Sequence, residues 1–119
     1  MAGADSEKML VGAATEKLAS VAANSLAKSA EQEVVANAAH IFAKGRFKSV
    51  GSQQEVTAGI VDSVRNSAGR LVEGNNTVTT LINNQSVTVR IRLQGGTLSN
   101  INAFPGTSTR ALGNVIDLR

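Results

Sequence analysis

The only histidine of the sequence is followed by a short run of basic residues. Lys44, Arg46 and Lys48 come within eight residues of His40. An imidazole titrates near neutral pH and can take up or release a proton, and nearby cations can stabilise charge that builds on a phosphate. This combination is suited to acid–base chemistry on a phosphodiester. A lone histidine on a helix is also often a structural residue, so both interpretations of His40 stay open at this point.

Two further groups of polar residues in the second half of the chain are candidates to act with His40. Arg90 and Arg92 alternate with apolar residues, and the run Thr107-Ser108-Thr109-Arg110 follows a Phe-Pro-Gly turn. Cleavage of RNA by its own 2′-hydroxyl requires a base, an acid, and cations or hydroxyl donors around the phosphate, but no metal. Alternating arginines are also common on a solvated sheet face, and a hydroxyl-rich run can be only a turn. The prediction depends on their conjunction with His40.

Other chemistries find less support in the sequence. It has no cysteine, no His-Glu-x-x-His motif, no Walker A loop, no dinucleotide-binding fingerprint and no Gly-x-Ser-x-Gly elbow. We therefore expect no metal and no cofactor, and a metal-free nuclease is the class of enzyme that the residues support.

The distribution of charge indicates an anionic partner. Residues 1–39 carry three lysines against five acidic residues, whereas residues 40–119 carry nine lysines and arginines against four acidic residues. Most cations of the second part are arginine, which suits planar phosphate contacts. Aromatic residues make up only 3% of the chain, so stacking on aromatic rings cannot carry RNA recognition as it does in RRM domains. We expect RNA as the partner.

Length and composition favour one globular domain. The chain has 119 residues, of which 42% are hydrophobic, and that is enough for one modest core. It shows neither the pattern of a signal peptide nor an apolar run of membrane-spanning length, so we expect no membrane partner for the isolated domain.

Two helices are predicted in the first 45 residues. Ser6 is suited to cap a first helix, whose apolar residues recur at three- and four-residue steps as far as Leu26. A second helical pattern runs from Glu31 to about Lys44, and Gly45 is placed to end it. The first stretch is rich in alanine and serine, so residues 1–30 are interpreted as a helical connector or entry-side segment, and residues 31–119 as the functional domain.

A third helix and then a series of strands are predicted from residue 52 onward. Ser52 and Glu55 have the spacing of a capping box, and the buried face of the helix that follows is predicted to hold Val56, Ile60, Val61 and Val64. Gly74-Asn75-Asn76 reads as a turn, after which the apolar period changes to two. The predicted strands are Thr77–Ile82, Ser86–Leu93, Thr97–Ala103 and Asn114–Leu118.

The second of these strands has a clear apolar face and a clear polar face. Thr88, Arg90 and Arg92 alternate with Val87, Val89, Ile91 and Leu93, which predicts a cationic, hydroxyl-bearing surface behind a core face. Helices followed by a run of strands indicate the α+β class. We predict N-terminal helices packed on a twisted antiparallel β-sheet of about four strands.

The segment from Ala38 to Phe47, which contains His40-Ile41-Phe42, is followed by a capped helix and four short strands ending near Asn114–Leu118. This arrangement resembles the C-terminal ribonuclease toxins of bacterial contact-dependent growth inhibition and other polymorphic toxin systems. Within them it is similar to the barnase/EndoU/colicin/RelE group, with colicin D as a relative in layout. The resemblance covers about residues 31–119.

The resemblance implies a function and its partners. It implies an antibacterial toxin domain that cleaves tRNA without metal, a cognate immunity protein that blocks the active site, and a host factor as a further partner to consider. It also implies secretion or cell-surface delivery as part of a larger protein, with action in the cytosol of target bacteria.

The resemblance also implies roles for individual residues. His40 matches the catalytic histidine on a helix, and Lys44 and Arg46 match the adjoining cations. Some relatives have a second histidine after the glycine, whereas Gly45 is followed here by Arg46, so the second proton-transfer role is unassigned. The predicted catalytic residues are His40, Arg46, Arg90, Thr107, Thr109 and Arg110, and the predicted RNA-binding residues are Lys44, Lys48 and Arg92.

Two alternatives compete with a tRNA-cleaving toxin. One is a non-catalytic binding or assembly module of a large surface or phage protein, which would use the basic sheet face to hold its partner. The other is a DNA nuclease, which the missing acidic cluster for a metal disfavours. The ribonuclease hypothesis predicts that His40→Ala abolishes cleavage and leaves the fold intact, whereas a binding module would bind its partner with or without the imidazole.

Overall fold

A computed structural model describes residues 22–108, 110 and 113–119, so most of the first predicted helix lies outside the described residues. Helices precede a four-stranded sheet, which confirms the predicted α+β class. The helices are α1 (residues 22–36), α2 (Ala38–Ile41) and α3 (Gln53–Ser67). The strands are β1 (Gly74–Ile82), β2 (Gln85–Gln94), β3 (Thr97–Pro105) and β4 (Asn114–Asp117).

Helix α1 runs through Glu31 without a break, so the helix start predicted there is wrong. Ala27, Ala30 and Val34 are buried in the core, whereas the neighbouring Val35 is 66% exposed. A turn at Asn37 separates α1 from α2. The core contribution of α1 therefore begins before residue 31, and small side chains let it lie close to its neighbours.

Helix α3 begins as predicted. The Ser52 hydroxyl accepts a hydrogen bond from the Glu55 amide, and the Glu55 carboxylate accepts one from the Ser52 amide, both at 3.1 Å. Val56, Ile60 and Val64 are buried on its inner face, and Val61 is half-buried. The capping box thus fixes where α3 starts and which face it turns to the sheet.

The strand order in the sheet is β3-β2-β1-β4. Asn83 and Asn84 join β1 to β2 with φ angles of 50° and 64°, the left-handed pair that a two-residue hairpin turn requires. Strands β1, β2 and β3 are antiparallel, but β4 pairs with β1 in parallel. The sheet is therefore mixed, and the prediction of a wholly antiparallel sheet is wrong in this strand.

Strands β1 and β3 are longer than predicted by two or three residues at one end, and β2 by one residue at each end. Asn75 and Asn76 belong to β1 because they pair with Arg92 and Ile91 of β2, so the turn predicted there is absent. Strand β3 continues through Phe104 to Pro105, which the edge position allows because an edge strand leaves one side of its backbone unpaired. The extra residues lengthen β1 at its start and β3 at its end, and both extensions add side chains to the polar face of the sheet.

One face of the sheet packs on the helices and forms the core. Its buried side chains are Val78, Ile82, Val87, Val89, Ile91, Leu93, Ile101, Ala103 and Ile116. They contact the inner faces of α1 and α3, together with Ile41 of α2 and Phe47. The alternation predicted for β2 is confirmed, because its four apolar residues all lie on this face. The other side of the sheet is called the outer face below.

Candidate functional site

The outer face carries a shallow cleft of about 270 Å³ over the middle of the sheet. Six polar residues of its lining have side chains on this face and come from three strands: Asn75, Thr77, Arg90, Arg92, Asn100 and Asn102. Asn76 and Ile91, whose side chains are on the other face of the sheet, complete the lining. No carboxylate lines this cleft in the part of the chain that the structure describes. The cleft therefore presents cationic and amide groups to an anionic ligand.

The strand register arranges the six polar residues in two rows. Arg92 pairs with Asn75 on one side and with Asn100 on the other, and Arg90 pairs in the same way with Thr77 and Asn102. Side chains directly opposite each other on neighbouring strands lie about 5 Å apart at Cβ. Each arginine is therefore flanked by polar residues on both neighbouring strands.

Arg90 is held in place by the segment that follows β3. Its Nη2 donates to the Ser108 hydroxyl at 3.2 Å and to the Arg110 carbonyl at 3.3 Å. The guanidinium lies over the Phe104 ring, with 5.1 Å between Cζ and the ring centroid. Its Nε is buried and has no hydrogen-bond partner among the described residues. Arg90 is therefore a fixed part of the cleft wall.

The segment after β3 folds back over the start of β2. The Gly106 amide donates to the Ser86 carbonyl at 2.7 Å, and the Thr88 hydroxyl donates to the Gly106 carbonyl at 2.8 Å. Thr88 is consequently buried although it points to the outer face. Ser108, which accepts a hydrogen bond from Arg90 Nη2, was not among the predicted site residues. Its place in the hydroxyl-rich run Thr107-Ser108-Thr109-Arg110 is the sequence signal by which it could have been found.

The segment after β3 also contains three of the predicted catalytic residues: Thr107, Thr109 and Arg110. Thr107 is exposed, and Thr109 lies outside the described residues. Arg110 meets Arg90 and Ser108 through its backbone, and its residue is exposed. The structure thus brings Arg90, Arg92 and the backbone of Arg110 to the outer face, and Ser108 links Arg90 to Arg110.

His40 lies on the helical side of the molecule, at the end of α2. It is exposed, and its imidazole has no hydrogen bond to another described residue. Lys44 and Lys48 are also exposed, and Lys44 adopts a left-handed conformation with φ of 57°. Within eight residues of chain after His40, two exposed lysines therefore accompany the exposed imidazole.

Arg46 joins this segment to the sheet. Its Nη1 donates to the His40 carbonyl at 3.3 Å, and its Nη2 donates to the Ala103 carbonyl of β3 at 3.5 Å. The residue after Ala103 is Phe104, which supports Arg90 on the outer face. Strand β3 therefore lies between the two predicted groups, and no hydrogen bond or ion pair within the described residues connects the His40 imidazole to Arg90, Arg92 or Ser108.

The acidic residue of β4 that faces the outer side is paired. Asp117 accepts from Arg119 Nε at 3.0 Å and from Nη2 at 3.1 Å. These hydrogen bonds from Arg119 lower the pKa of Asp117 to about 2. The negative charge of Asp117 is thus balanced locally and does not cancel the field of the cleft arginines.

Within the ranges that the structure describes, no three His, Cys, Asp or Glu side chains gather as a metal site would require. No helix there has the length and apolar character needed to cross a bilayer. Comparison of the chain with protein-family models, with curated proteins and with solved structures found no match.

Proposed function

We propose that this chain is a metal-independent endoribonuclease that holds RNA on the outer face and cleaves it by attack of the 2′-hydroxyl, with tRNA as its substrate. The observation that carries the proposal is the outer-face cleft, in which two arginines stand between carboxamide and hydroxyl groups with no carboxylate in the lining. Such a surface attracts a polyanion and offers hydrogen bonds to phosphate, sugar and base together.

The arginines of the cleft have different parts in this proposal. Arg92 is exposed and makes no side-chain hydrogen bond with another described residue, so its guanidinium is available to a phosphate. Arg90 is half-buried and tied to Ser108, so it contributes a fixed positive charge beneath the ligand. A preorganised cation holds a phosphate of the bound strand without having to move, while the phosphate that is cleaved lies beyond β3, beside His40.

His40 is the proton-transfer group of the proposed reaction. A base removes the 2′ proton, the 2′ oxygen attacks phosphorus, and the 5′ oxygen leaves with a proton from an acid. The products are a 2′,3′-cyclic phosphate and a 5′-hydroxyl. An accessible imidazole serves either step near neutral pH. Because the chain has one histidine, the other proton transfer falls to a different kind of group or to water.

The path of the RNA follows from the position of β3. A strand of RNA that lies on Arg92 and Arg90 reaches the helical side by crossing the edge at β3, where Arg46 bridges His40 and Ala103. Lys44 and Lys48, exposed beside His40, would then hold the phosphates beyond the edge. The resemblance in layout adds a toxin role, with a cognate immunity protein that covers this path and is acidic where it meets the cations.

The test is cleavage of purified tRNA by the purified chain, with a chelator present. We expect discrete fragments that end in a 2′,3′-cyclic phosphate, and we expect His40→Ala to lose them while its far-UV circular dichroism stays unchanged, because His40 is exposed. Lys28 is an exposed basic residue on α1, so Lys28→Ala is the matched control and should cleave normally. Cleavage by His40→Ala at the unaltered rate would refute the role of His40.

A second candidate is a non-catalytic module that binds an anionic partner through the outer face. The observation in its favour is that the His40 imidazole has no described partner that would orient it for proton transfer. This candidate predicts intact RNA after incubation, together with binding that Arg92→Ala weakens and His40→Ala leaves unchanged. The same pair of variants therefore separates the two functions.

A further inference from the structure

Resting on the proposed function, we infer that the outer-face cleft is a subsite for one unpaired purine base of the bound RNA. In this subsite Arg90 supports the base from below, and the carboxamides of Asn75, Asn100 and Asn102 read its edge. The starting point is that the cleft holds more hydrogen-bonding groups than a phosphate alone would use.

The Arg90 guanidinium forms a platform. It lies over the Phe104 ring, and its Nη2 is tied to Ser108 and Arg110, so the group is held in place at several points. Proteins that recognise single-stranded RNA stack bases on guanidinium planes as well as on aromatic rings. Phe104 and Arg90 together therefore supply a stacking surface, although aromatic residues are scarce in the sequence.

The carboxamides around the platform are available to a ligand. Asn75 and Asn100 are exposed and make no side-chain hydrogen bond with any other residue that the structure describes. The Oδ1 of Asn102 accepts from the Ala103 amide at 2.9 Å, which orients its Nδ2 group as a donor. Because the three residues come from β1 and β3, they stand on both sides of the arginine row.

The size and position of the cleft favour a single unpaired base. Its volume of about 270 Å³ lies just below that of ordinary small-ligand pockets, which span about 300–1,000 Å³. In duplex RNA the base edges are held in narrow or shallow grooves, whereas an unpaired base can be turned out and bound on its edges. The cleft is thus suited to a loop or single strand of RNA.

The balance of donors and acceptors favours a purine. Arginine binds the O6 and N7 of guanine through two hydrogen bonds, and asparagine binds the N6 and N7 of adenine in the same manner. Both patterns use N7, an acceptor that pyrimidines lack. Asn75 and Asn100, which stand on either side of Arg92, offer the asparagine contact in one row, and Arg92 between them holds a phosphate of the strand.

The test is binding of seven-nucleotide RNAs that consist of uridine except for one central base, which is A, G, C or U. All carry 2′-O-methyl groups, so that the 2′ oxygen cannot attack and binding is measured without cleavage. We expect the two purine oligonucleotides to bind more tightly than the two pyrimidine ones, and a duplex of the same length to bind more weakly than either purine strand.

Variants assign the preference to the cleft. Asn75→Ala and Asn100→Ala should each lower affinity for the purine strands about tenfold and leave the all-uridine strand nearly unaffected. Asn66→Ala, an exposed asparagine on α3, is the matched control and should change nothing. Arg92→Ala should weaken binding of all four strands and reduce the salt dependence by about one phosphate contact.

The possible results separate the subsite from the proposed function. Equal binding of the four strands that still depends on Arg92, or a purine preference that survives Asn75→Ala and Asn100→Ala, would overturn the base subsite while RNA binding stands. Absence of binding to every strand and to tRNA would overturn the proposed function together with the subsite. A purine preference that disappears only in the cleft variants is the result expected.

Discussion

Two adjacent asparagines of β1 point to opposite sides of the sheet, and substituting each by alanine should have opposite consequences. Asn76 is buried, and its Oδ1 accepts from the Val72 amide at 2.9 Å and from Asn114 Nδ2 at 3.1 Å. Its Nδ2 donates to the Val72 carbonyl at 2.9 Å and also approaches the carbonyls of Gly74 and Ile91. Asn75 lies in the cleft without such bonds.

The magnitude for Asn76→Ala follows from these contacts. A net contribution of about 1 kcal/mol for each of the two short bonds to Val72, plus about 1 kcal/mol for polar groups left buried and unpaired, gives a loss of about 3 kcal/mol. The total stability of a domain is about 5–15 kcal/mol, so the variant should still fold but melt roughly 10 °C lower. Asn75→Ala should change stability by less than about 0.5 kcal/mol.

The assay is urea unfolding followed by far-UV circular dichroism, because the chain has neither tryptophan nor tyrosine for a fluorescence signal. Equal unfolding midpoints for Asn76→Ala and Asn75→Ala would refute the reasoning. Asn76→Asp adds a sign test, since the new carboxylate would face three carbonyl oxygens and burial would raise its pKa above the unfolded value. The stability that this variant loses at neutral pH should therefore partly return as the pH is lowered.

Three further predictions concern turns and caps. Ser52→Ala removes the hydroxyl of the capping box and should lower the free energy of unfolding by about 1 kcal/mol, measured by the same urea titration. A hydrogen bond from the Ser52 amide lowers the pKa of Glu55. The ionised Glu55 therefore contributes stability above the unfolded-state pKa, and this contribution is lost as the pH falls through the lower folded-state pKa. Glu55→Gln should flatten this part of a plot of melting temperature against pH. Gly113 and Gly95 have φ of 69° and 63°, but a Cβ on Gly113 would overlap the Asn75 carbonyl oxygen, whereas one on Gly95 meets nothing within 4 Å. Gly113→Ala should therefore destabilise more than Gly95→Ala, and equal melting temperatures would show that the strand shifts without cost.

Elements with a strong local signal could be predicted from the sequence. The spacing of Ser52 and Glu55 located the start of α3, and the apolar alternation of β2 identified its core face. The division between α1 and α2 could not be located in this way, because Val34, Ala38 and Ile41 keep the helical spacing across it. The break falls at Asn37, which the pattern of apolar residues passed over.

Features set by contacts between distant residues could not be predicted. Gly74-Asn75-Asn76 has the composition of a turn, yet Asn76 is drawn into β1 by hydrogen bonds to Ile91 and Asn114. The direction of β4 has no local signal, since a four-residue strand looks the same in either orientation. The two rows of polar side chains in the cleft depend on strand register. The sequence alone therefore could not show that Asn75, Asn100 and Asn102 stand beside Arg92 and Arg90.

The parallel pairing of β4 with β1 sets an order of folding. The hairpins β1–β2 and β2–β3 join neighbouring stretches of chain, so their loops close quickly and at low entropic cost. Asn76 and Asn114, by contrast, are 38 residues apart. Their pairing closes a long loop, and its contacts do not offset that entropy cost until the three-stranded meander has formed. We expect β4 to dock late, so that substitutions at Ile116 accelerate unfolding while leaving the folding rate nearly unchanged. The outer-face cleft, which is built on β1, β2 and β3, would then be assembled before the sheet is complete.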